Sequence, residues 1–573
     1  MSSCSNCHAP LASGVRFCAK CGTRVEATPA PKSSGSFCTK CGKALAQGVA
    51  FCSGCGTRQV AAPTPKGQSR PQVPTRTPPT RPSSFGAKTG SQGPIRGPVL
   101  YVTAKGAMDE QSLRKLINNA SAANKGSLLI VDASTDPVAA VQKATGECLR
   151  RRVKLEAVCL LGSDDTLPHH RFDDPCGQDE NLPTDAPYGM ARTPNQEERF
   201  QGLVLPQIPV CRIPFDNADQ IQPFLVIGAE LCDSWDDGLA VTAQVWTGAS
   251  AAVLAAINPS GDVPLHAVPP KGPSQIGSEI KSTTGRCYFN VHGSDQTTAW
   301  FGEGNGQQPE AFEPELVKIA PRGIAISEAC YGALIDEYGE GISLSFLQAG
   351  AGCFVGSTII AWGPTTAPIG LADEIVTGFY GALDQGTGVA KALVQAKEEM
   401  LKRYQHSDGS WSLEPAQHNT LLSFIAYGSP CATVRASQSK GFRPNSVRGS
   451  KPGGSDVLSK VRARMAGQGD GSTVLEQVMS RLESRVSGET FRILNQGRVD
   501  LSAPPPGLPD MTQVRNRIAE KLGQLPTQTH VFQSSGGNQD TSVFGKAGEG
   551  TKAKIVAMVV NQAGQIIAEY SSR

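Results

Sequence analysis

Two stretches organise this chain: CYFNVHGSDQTTAW at 287–300 and GIAISEACYGALI at 323–335. Each begins as a short apolar run of residues that favour β-strands and ends abruptly in a polar residue, His292 in the first and Cys330 in the second. An unbroken apolar run is typical of a buried parallel strand, and ligands gather beyond the carboxyl ends of such strands. The pattern therefore predicts that an imidazole and a thiol meet at one edge of a sheet, which is what a cysteine nucleophile needs.

The surrounding chain alternates between strand-like and helix-like segments from residue 98 onward. PVLYVTA (98–104), SLLIVDAS (127–134) and KLEAVCLLGS (154–163) are predicted strands, and amphipathic segments between them are predicted helices. Residues 220–258 are predicted to be mainly helical, and CFVGSTIIAW (353–362) is predicted to be one further strand. Such alternation predicts an α/β fold with a parallel sheet covered by helices on both faces.

The amino-terminal segment carries a metal-binding pattern that occurs twice. The spacing CxxC-x10-CxxC recurs with an offset of 34 residues, and flanking Gly, Val, Phe, Thr and Arg residues recur with it. Two CxxC knuckles complete a closed tetrahedral Cys₄ zinc site, which stabilises structure and leaves no position for catalysis. The sequence therefore predicts two structural Zn²⁺ sites, with the ligands Cys4, Cys7, Cys18, Cys21, Cys38, Cys41, Cys52 and Cys55. The repeat at 1–58 resembles a double zinc ribbon.

The role of this segment is open between three alternatives. Residues 1–97 hold thirteen Lys and Arg and a single acidic residue, Glu26, so contacts to nucleic-acid phosphates are one alternative. The others are recruitment of a protein partner, which we favour, and a purely structural role. Residues 59–97 and 438–456 are rich in Pro, Gly and Ser, which predicts flexible linkers.

Residues 457–573 are predicted to form a small α+β domain. Amphipathic helices are expected at DVLSKVRARMA, STVLEQVMSRLESRV and MTQVRNRIAEKLG, followed by two strands, KAKIVAMVV and QIIAEYS, joined by an NQAG turn. The whole chain has 573 residues, a formal charge of +3, and 39% hydrophobic against 18% charged residues, which suits a globular protein of several modules. We find no apolar run of about 18 residues and no secretory signal, so a cytosolic location is expected.

The His and Cys segments resemble the gingipain branch of the caspase-like (clan CD) cysteine peptidases. HGSDQTTAW is similar to the histidine segment of that family, SEACYGALI to its cysteine segment, and GCFVGSTIIAWGPTTAPIGLADEI (352–375) to its following strand and specificity loop. LPTDAPYG (182–189) and PVCRIPF (209–215) resemble earlier landmarks, in the same order. The resemblance implies a caspase-like peptidase domain at 98–437, between the zinc ribbons and the α+β domain.

The resemblance also implies roles for individual residues. Cys330 is the expected nucleophile and His292 the expected base, while the N–H of Gly293 is expected to help bind the oxyanion. Asp185 is the candidate for orienting the imidazole, with turn capping as its alternative role. Trp362 is expected to line the specificity pocket, with core packing as its alternative. Seven further cysteines are expected to be inert core residues: Cys148, Cys159, Cys211, Cys232, Cys287, Cys353 and Cys431.

The sequence departs from arginine-cleaving relatives before PVCRIP. Those relatives carry an acidic residue there, whereas this chain reads GLVLPQIP (202–209) without a carboxylate. A buried guanidinium needs an anionic partner, and Glu197 and Glu198 would supply one only if their loop folds inward. The resemblance therefore implies a peptidase without implying an arginine preference.

The function expected from these observations is a cytosolic cysteine endopeptidase that cleaves a protein substrate in a regulated way. By analogy alone, a role in bacterial immunity or programmed cell death is expected, with a pore-forming effector as one candidate substrate. The alternatives are a catalytically silent caspase-like scaffold and a nucleic-acid-binding regulator that acts through the basic zinc-ribbon arm.

Overall fold

The structure is a computed structural model that describes two main ranges of the chain. These are residues 95–434, apart from 133, 227–229, 233, 236–237, 281–283 and 336–340, and residues 511–572, apart from 534–539 and 548–553. Five short strands are described outside them, four before residue 46 and one at 492–495. By its internal contacts the chain forms two compact units, Met1–Lys88 and Thr89–Arg573.

The first unit contains two short antiparallel hairpins. Strand β1 (Ser2–Ser3) pairs with β2 (Pro10–Leu11), and β3 (Ser36–Phe37) pairs with β4 (Ala44–Leu45). The second hairpin repeats the first with the same offset of 34 residues as the cysteine pattern. The eight predicted zinc ligands lie outside the described residues.

The second unit is built around a ten-stranded sheet. Its strands, in chain order, are β5 (Val99–Ala104), β6 (Gly126–Val131), β7 (Ala157–Leu161), β10 (Val210–Ile213), β12 (Leu239–Ala243), β13 (Leu265–Val268), β14 (Thr284–Asn290), β17 (Ile319–Ser327), β18 (Cys353–Ser357) and β20 (Phe424–Gly428). The spatial order is β13-β12-β14-β17-β18-β20-β10-β7-β5-β6. Every neighbouring pair is parallel except β18–β20. The antiparallel β18–β20 pair joins two parallel halves, whose strands therefore run in opposite directions.

Helices cover both faces of this sheet. They are α1 (Glu110–Asn118), α2 (Pro137–Arg150), α3 (Gln196–Phe200), α4 (Ala218–Val226), α5 (Thr247–Ile257), α6 (Pro273–Glu279), α7 (Ile342–Gln348), α8 (Ala372–Asp384), α9 (Val389–Arg403) and α10 (Pro415–Ser423). Successive residues of β14 point into opposite cores: Tyr288 packs in the core that contains α8 and α9, and Phe289 in the core that contains α6 and α7. All seven residues of β14 are buried, and its apolar segment Cys287–Phe289 lies between the two cores, as expected for a strand covered on both faces.

Short elements complete the unit at its periphery. Four two-to-three-residue strands form small antiparallel pairs: β8 (His170–Phe172) with β9 (Leu182–Thr184), and β15 (Trp300–Phe301) with β16 (Glu310–Phe312). Strand β11 (Glu230–Leu231) pairs in parallel with β21 (Thr433–Val434). Single 3₁₀ turns occur at Ala122–Asn124, Ala186–Gly189, Gln244–Trp246 and Pro314–Leu316. Among the residues that the structure describes, none of the helices is long and apolar enough to cross a bilayer.

The structure differs from the sequence prediction in two places. The region predicted to be mainly helical contains β12, a fully buried strand of the main sheet. Short apolar runs such as LAVTA are ambiguous between strand and helix, and only pairing decides between them. The strand predicted at 353–362 is divided: β18 ends at Ser357, and Trp362–Gly363 forms a separate strand, β19, in another sheet.

The carboxyl-terminal part consists of one helix and an antiparallel sheet. Its elements are β22 (Arg492–Asn495), α11 (Thr512–Leu522), β23 (Gln528–Gln533), β24 (Thr541–Ala547), β25 (Lys554–Val560) and β26 (Ile566–Ser572). The structure has the helix predicted at MTQVRNRIAEKLG and the terminal hairpin, whose NQAG turn is closed by a bond from Gly564 N–H to the Asn561 carbonyl, 2.9 Å. The other two helices predicted beyond residue 455 lie outside the described residues. Strand β19 extends this sheet, with the order β19-β26-β25-β24-β23-β22.

Candidate active site

His292 and Cys330 leave neighbouring strands at the same level. Strands β14 and β17 are adjacent and parallel, with Phe289 opposite Ser327. His292 lies three residues beyond Phe289, and Cys330 lies three residues beyond Ser327. Both residues therefore stand at the carboxyl edge of the sheet, as the two opening sequence stretches predict.

Gly293 brings the two segments into direct backbone contact. A Cβ atom built on Gly293 would lie 1.8 Å from the carbonyl oxygen of Cys330 and 2.9 Å from its carbonyl carbon. Any larger residue would collide there, so this position requires glycine for close approach. Among the described residues, no carbonyl accepts the N–H of Gly293.

Three sets of contacts hold His292. Its backbone N–H donates to the Phe301 carbonyl at 2.8 Å, and its backbone carbonyl accepts from the Phe301 N–H at 2.9 Å. Its ring packs against Trp246 with 4.4 Å between ring centroids, and its Nε2 lies 2.9 Å from Oε2 of Glu303. A hydrogen bond at Nε2 selects the ring orientation in which Nδ1 remains for proton transfer.

Glu303 is a functional candidate that the sequence analysis missed. Its side chain is 12% exposed, and its second oxygen, Oε1, accepts a hydrogen bond from Lys554 Nζ at 2.8 Å. Burial by itself would raise the pKa of this carboxyl, but the hydrogen bonds and charges of His292 and Lys554 outweigh burial and lower the pKa to about 2. It lies eleven residues after His292 in the chain, but this spacing does not distinguish it from a solvated glutamate.

Cys330 lies in a tight, nearly solvent-free turn. The residue is 3% exposed, and its Sγ lies 3.8 Å from the carbonyl oxygen of Ala361. The following residue, Tyr331, has a positive φ of 56°, which is costly for a non-glycine residue and is often found at functional sites. A bond from Tyr331 N–H to the Ile359 carbonyl, 3.0 Å, fixes the turn against the segment after β18.

A carboxylate lies beside this turn, and the sequence analysis did not single it out. Asp179 accepts a 2.6 Å hydrogen bond from the hydroxyl of Tyr331 and a longer one, 3.4 Å, from the N–H of Ile360. Burial and the neighbouring carboxylates raise the pKa of Asp179 to about 7, although the hydrogen bonds from Tyr331 and Ile360 oppose the increase. Both hydrogen bonds that Asp179 accepts here come from neutral groups, a phenol and a backbone amide.

Trp362 is near the nucleophile but is covered. It is fully buried, it follows the carbonyl group that contacts Cys330, and its ring makes an edge contact with Phe544 of β24, 5.4 Å between centroids. The expected pocket residue therefore lies against the carboxyl-terminal sheet in this conformation.

Asp185 does not reach His292, which corrects the expectation for that residue. Both of its oxygens bind Arg212, at 2.6 and 2.9 Å, and one also contacts His169 at 2.8 Å. Arg212 lies on β10, four strand positions from β14, or about 19 Å at ordinary strand spacing. Burial opposes ionisation of Asp185, but the Arg212 charge prevails and holds its pKa far below the usual value. Asp185 thus anchors the first half of the sheet, and Glu303 occupies the position proposed for it.

Other residues considered from sequence have structural partners. Glu198 caps α3 and binds Arg192, and Glu197 contacts Gln201. These partners all lie on or beside α3, and none of them is next to Cys330. The seven cysteines expected to be inert are unbridged, five of them buried and Cys232 and Cys431 partly buried. Among the described residues, no cluster of three His, Cys, Asp or Glu side chains is arranged to hold a metal ion.

The second unit is therefore a mixed α/β protein with a large, mainly parallel sheet and a His–Cys pair at its carboxyl edge. Residues 4–56 match the family described as Double zinc ribbon, which implies zinc binding in the amino-terminal unit. No curated protein sequence matches the chain.

Comparison with solved structures finds similar folds at low identity. One is the Arg-specific cysteine proteinase gingipain R, with 14% identity, a TM-score of 0.43, and coverage of 60% of this chain and 79% of the other. A second is a structure described only as a protease, with 12% identity, a TM-score of 0.42, and coverage of 59% and 78%. A third is the Saccharomyces cerevisiae separase–securin complex, with 11% identity, a TM-score of 0.26, and coverage of 39% and 14%.

Proposed function

We propose that this protein is a cysteine endopeptidase in which Cys330 is the nucleophile and His292 the general base. The observation that carries the proposal is the shared level of the two residues beyond adjacent parallel strands, with Phe289 opposite Ser327. One ring nitrogen of His292 is held by a carboxylate, and Cys330 follows the neighbouring strand. A base, an orienting carboxylate and a thiol are the groups used for covalent catalysis on unrelated folds.

The proposed reaction has two steps. His292 takes the proton of the Cys330 thiol, and the thiolate adds to the scissile carbonyl carbon. The resulting oxyanion is held by the N–H of Gly293 together with that of Cys330. His292 then gives its proton to the leaving amine as the C–N bond breaks, and water hydrolyses the thioester with His292 again as base. Glu303 stabilises the imidazolium that forms in both steps.

Asp179 supports a preference for a cationic side chain at the residue before the cut. It contacts Tyr331, which directly follows the proposed nucleophile, and Ile360, which lies two residues before Trp362. A substrate lysine or arginine would give Asp179 a positive partner in addition to the neutral donors Tyr331 and Ile360, and would return its raised pKa toward the usual range. This carboxylate lies outside the 202–209 interval, where the sequence shows none.

The test is cleavage by the Cys330→Ala variant, with Cys232→Ala as the matched control because Cys232 is a partly buried thiol outside the site. Cys330→Ala should lose cleavage of a peptide library and of protein substrates, while Cys232→Ala should retain it. Equal cleavage by both variants would refute the assignment of the nucleophile.

We propose that the amino-terminal unit holds two Zn²⁺ ions, one per CxxC-x10-CxxC set, and recruits a protein partner. The excess of Lys and Arg in residues 1–97 keeps nucleic-acid binding as the alternative. A phosphate contact would weaken steeply between roughly 50 and 200 mM salt, whereas a protein contact dominated by apolar burial would change little. The cytosolic location and a role in immunity or cell death stay predictions by analogy.

A further inference from the structure

The proposed nucleophile and base are closed off in this conformation. Cys330 is 3% exposed and His292 is 5% exposed. A peptide must reach both residues in an extended conformation before its carbonyl carbon meets the sulfur. In the described conformation these two residues are covered, and a polypeptide reaches them only when the covering segment moves away from the cleft between them.

The element that covers the cleft belongs to the chain itself. Strand β26 pairs antiparallel with β19, with Trp362 opposite Ser572 and Gly363 opposite Ser571. Strand β19 begins one residue after Ala361, whose carbonyl contacts the Cys330 sulfur. The backbone edge nearest the nucleophile is thus already paired with a strand.

Two further contacts connect the carboxyl-terminal sheet to the site. Phe544 packs edge-on against Trp362, and Phe544, Ile555 and Ala557 belong to the same apolar core as Cys330 and Trp362. Lys554 binds the oxygen of Glu303 that His292 does not use. Backbone pairing, apolar packing and a charge contact thus converge on the residues around Cys330 and His292.

We propose that the Trp362–Gly363 edge is the strand to which an extended peptide substrate adds, and that β26 occupies this place and keeps the enzyme latent. An exposed strand edge binds peptides through backbone hydrogen bonds, with side-chain pockets providing specificity. An antiparallel strand already in that position excludes the substrate by competition. This inference rests on the proposed peptidase function and adds its control: activity requires β26 to leave β19.

The test uses the full chain and two variants that weaken the closed state in different ways. Lys554→Glu replaces the contact to Glu303 by a like charge, and its control is Lys546→Glu, the same change one strand away on β24. Ser571→Pro removes a backbone N–H from β26, and its control is Ser571→Ala, which keeps the backbone. If the proline variant does not fold, the lysine pair alone decides the question.

Two readouts separate access from chemistry. Alkylation of Cys330 by iodoacetamide, followed by mass spectrometry of its peptide, reports access to the thiol. Amide hydrogen exchange at Trp362 and Gly363 reports the β19–β26 pairing. Both rates should rise about tenfold in Lys554→Glu and Ser571→Pro, because each change removes roughly one ion pair or backbone hydrogen bond from the closed state. Both controls should match the wild type.

Each outcome has a defined meaning. Alkylation and exchange rates equal to those of the controls would overturn the proposal, and so would faster exchange without faster alkylation, because β26 would then not limit access. Faster alkylation and exchange without Cys330-dependent peptide cleavage would support the closure by β26 and refute the peptidase function instead.

Discussion

Replacing Glu303 by glutamine should impair catalysis through His292. The carboxylate Oε2 lies 2.9 Å from His292 Nε2, and the amide of glutamine has nearly the same shape without the charge. The lowering of the Glu303 pKa from 4.5 to about 2 corresponds to about 3 kcal/mol of preference for the ionised carboxylate. His292 contributes more to the lowering than Lys554 does, so an effect of roughly tenfold or more belongs to the imidazolium.

A second effect adds to the loss of charge. The glutamine amide can donate to Nε2, which would leave the proton on Nδ1 and make His292 unable to accept the thiol proton. In a serine protease the corresponding change lowers kcat about 10⁴-fold. We therefore expect a decrease in kcat/KM between about 10-fold and 10³-fold for Glu303→Gln.

The assay must separate this effect from opening of the cleft, since Glu303 also binds Lys554. We would measure kcat/KM for Glu303→Gln in a Lys554→Gln background, where that contact is already absent, and use Glu310→Gln, at the exposed residue of β16, as the matched control. An unchanged kcat/KM in the Lys554→Gln background would refute the role of Glu303 in positioning His292.

Three further predictions test other parts of the molecule. The pKa of Asp179 is raised from 3.8 to about 7 in the folded protein, so the folded state retains a proton that the unfolded state releases, and the free energy of unfolding falls as the pH rises from about 4 to 7. Asp179→Asn should remove this fall, which amounts to up to about 4 kcal/mol at pH 8 in urea unfolding. The same variant should reduce cleavage after Lys and Arg. A pH-independent difference between Asp179→Asn and wild type would contradict the raised pKa. Gly293→Ala should lower the melting temperature and abolish cleavage because its Cβ would lie 1.8 Å from the Cys330 carbonyl oxygen, whereas Gly248→Ala on α5, with open space around its Cβ, should be neutral or slightly stabilising. Metal analysis of the purified chain should find two zinc ions, and a chelator that removes them should unfold residues 1–58; one ion or none would contradict the two-site prediction.

Much of the architecture could be predicted from local sequence because the signals are local. The apolar runs that end at His292 and Cys330 indicate buried parallel strands, and parallel strands in one sheet bring their carboxyl ends together wherever they lie in the chain. The cysteine repeat at an offset of 34 residues is also a local signal, because tetrahedral zinc coordination restricts the spacing between ligands. The role expected for Gly293 also follows from local sequence, because this glycine comes directly after the candidate base His292.

The orienting carboxylate required the tertiary structure. Glu303 reaches His292 because the short β15–β16 hairpin folds back, with His292 bonded to Phe301, and nothing in FGEGNG distinguishes that glutamate from a solvated one. Asp185 stood in a landmark motif and was the better candidate on sequence, but the strand order places its partner Arg212 four strands away. Strand order is a non-local property, so residue spacing does not reveal it.

The sequence by itself determined the chemistry that the edge of the sheet carries: one thiol, one imidazole and a glycine between their segments. For the amino-terminal unit it predicts eight cysteine ligands for zinc. Only the tertiary structure decided whether that edge is open. The apolar run 353–362 reads as one strand, yet Trp362–Gly363 leaves the main sheet and pairs with β26, two hundred residues further along the chain. A strand edge has unpaired N–H and C=O groups that accept any extended partner of suitable geometry, and pairing between distant segments is decided by the fold as a whole.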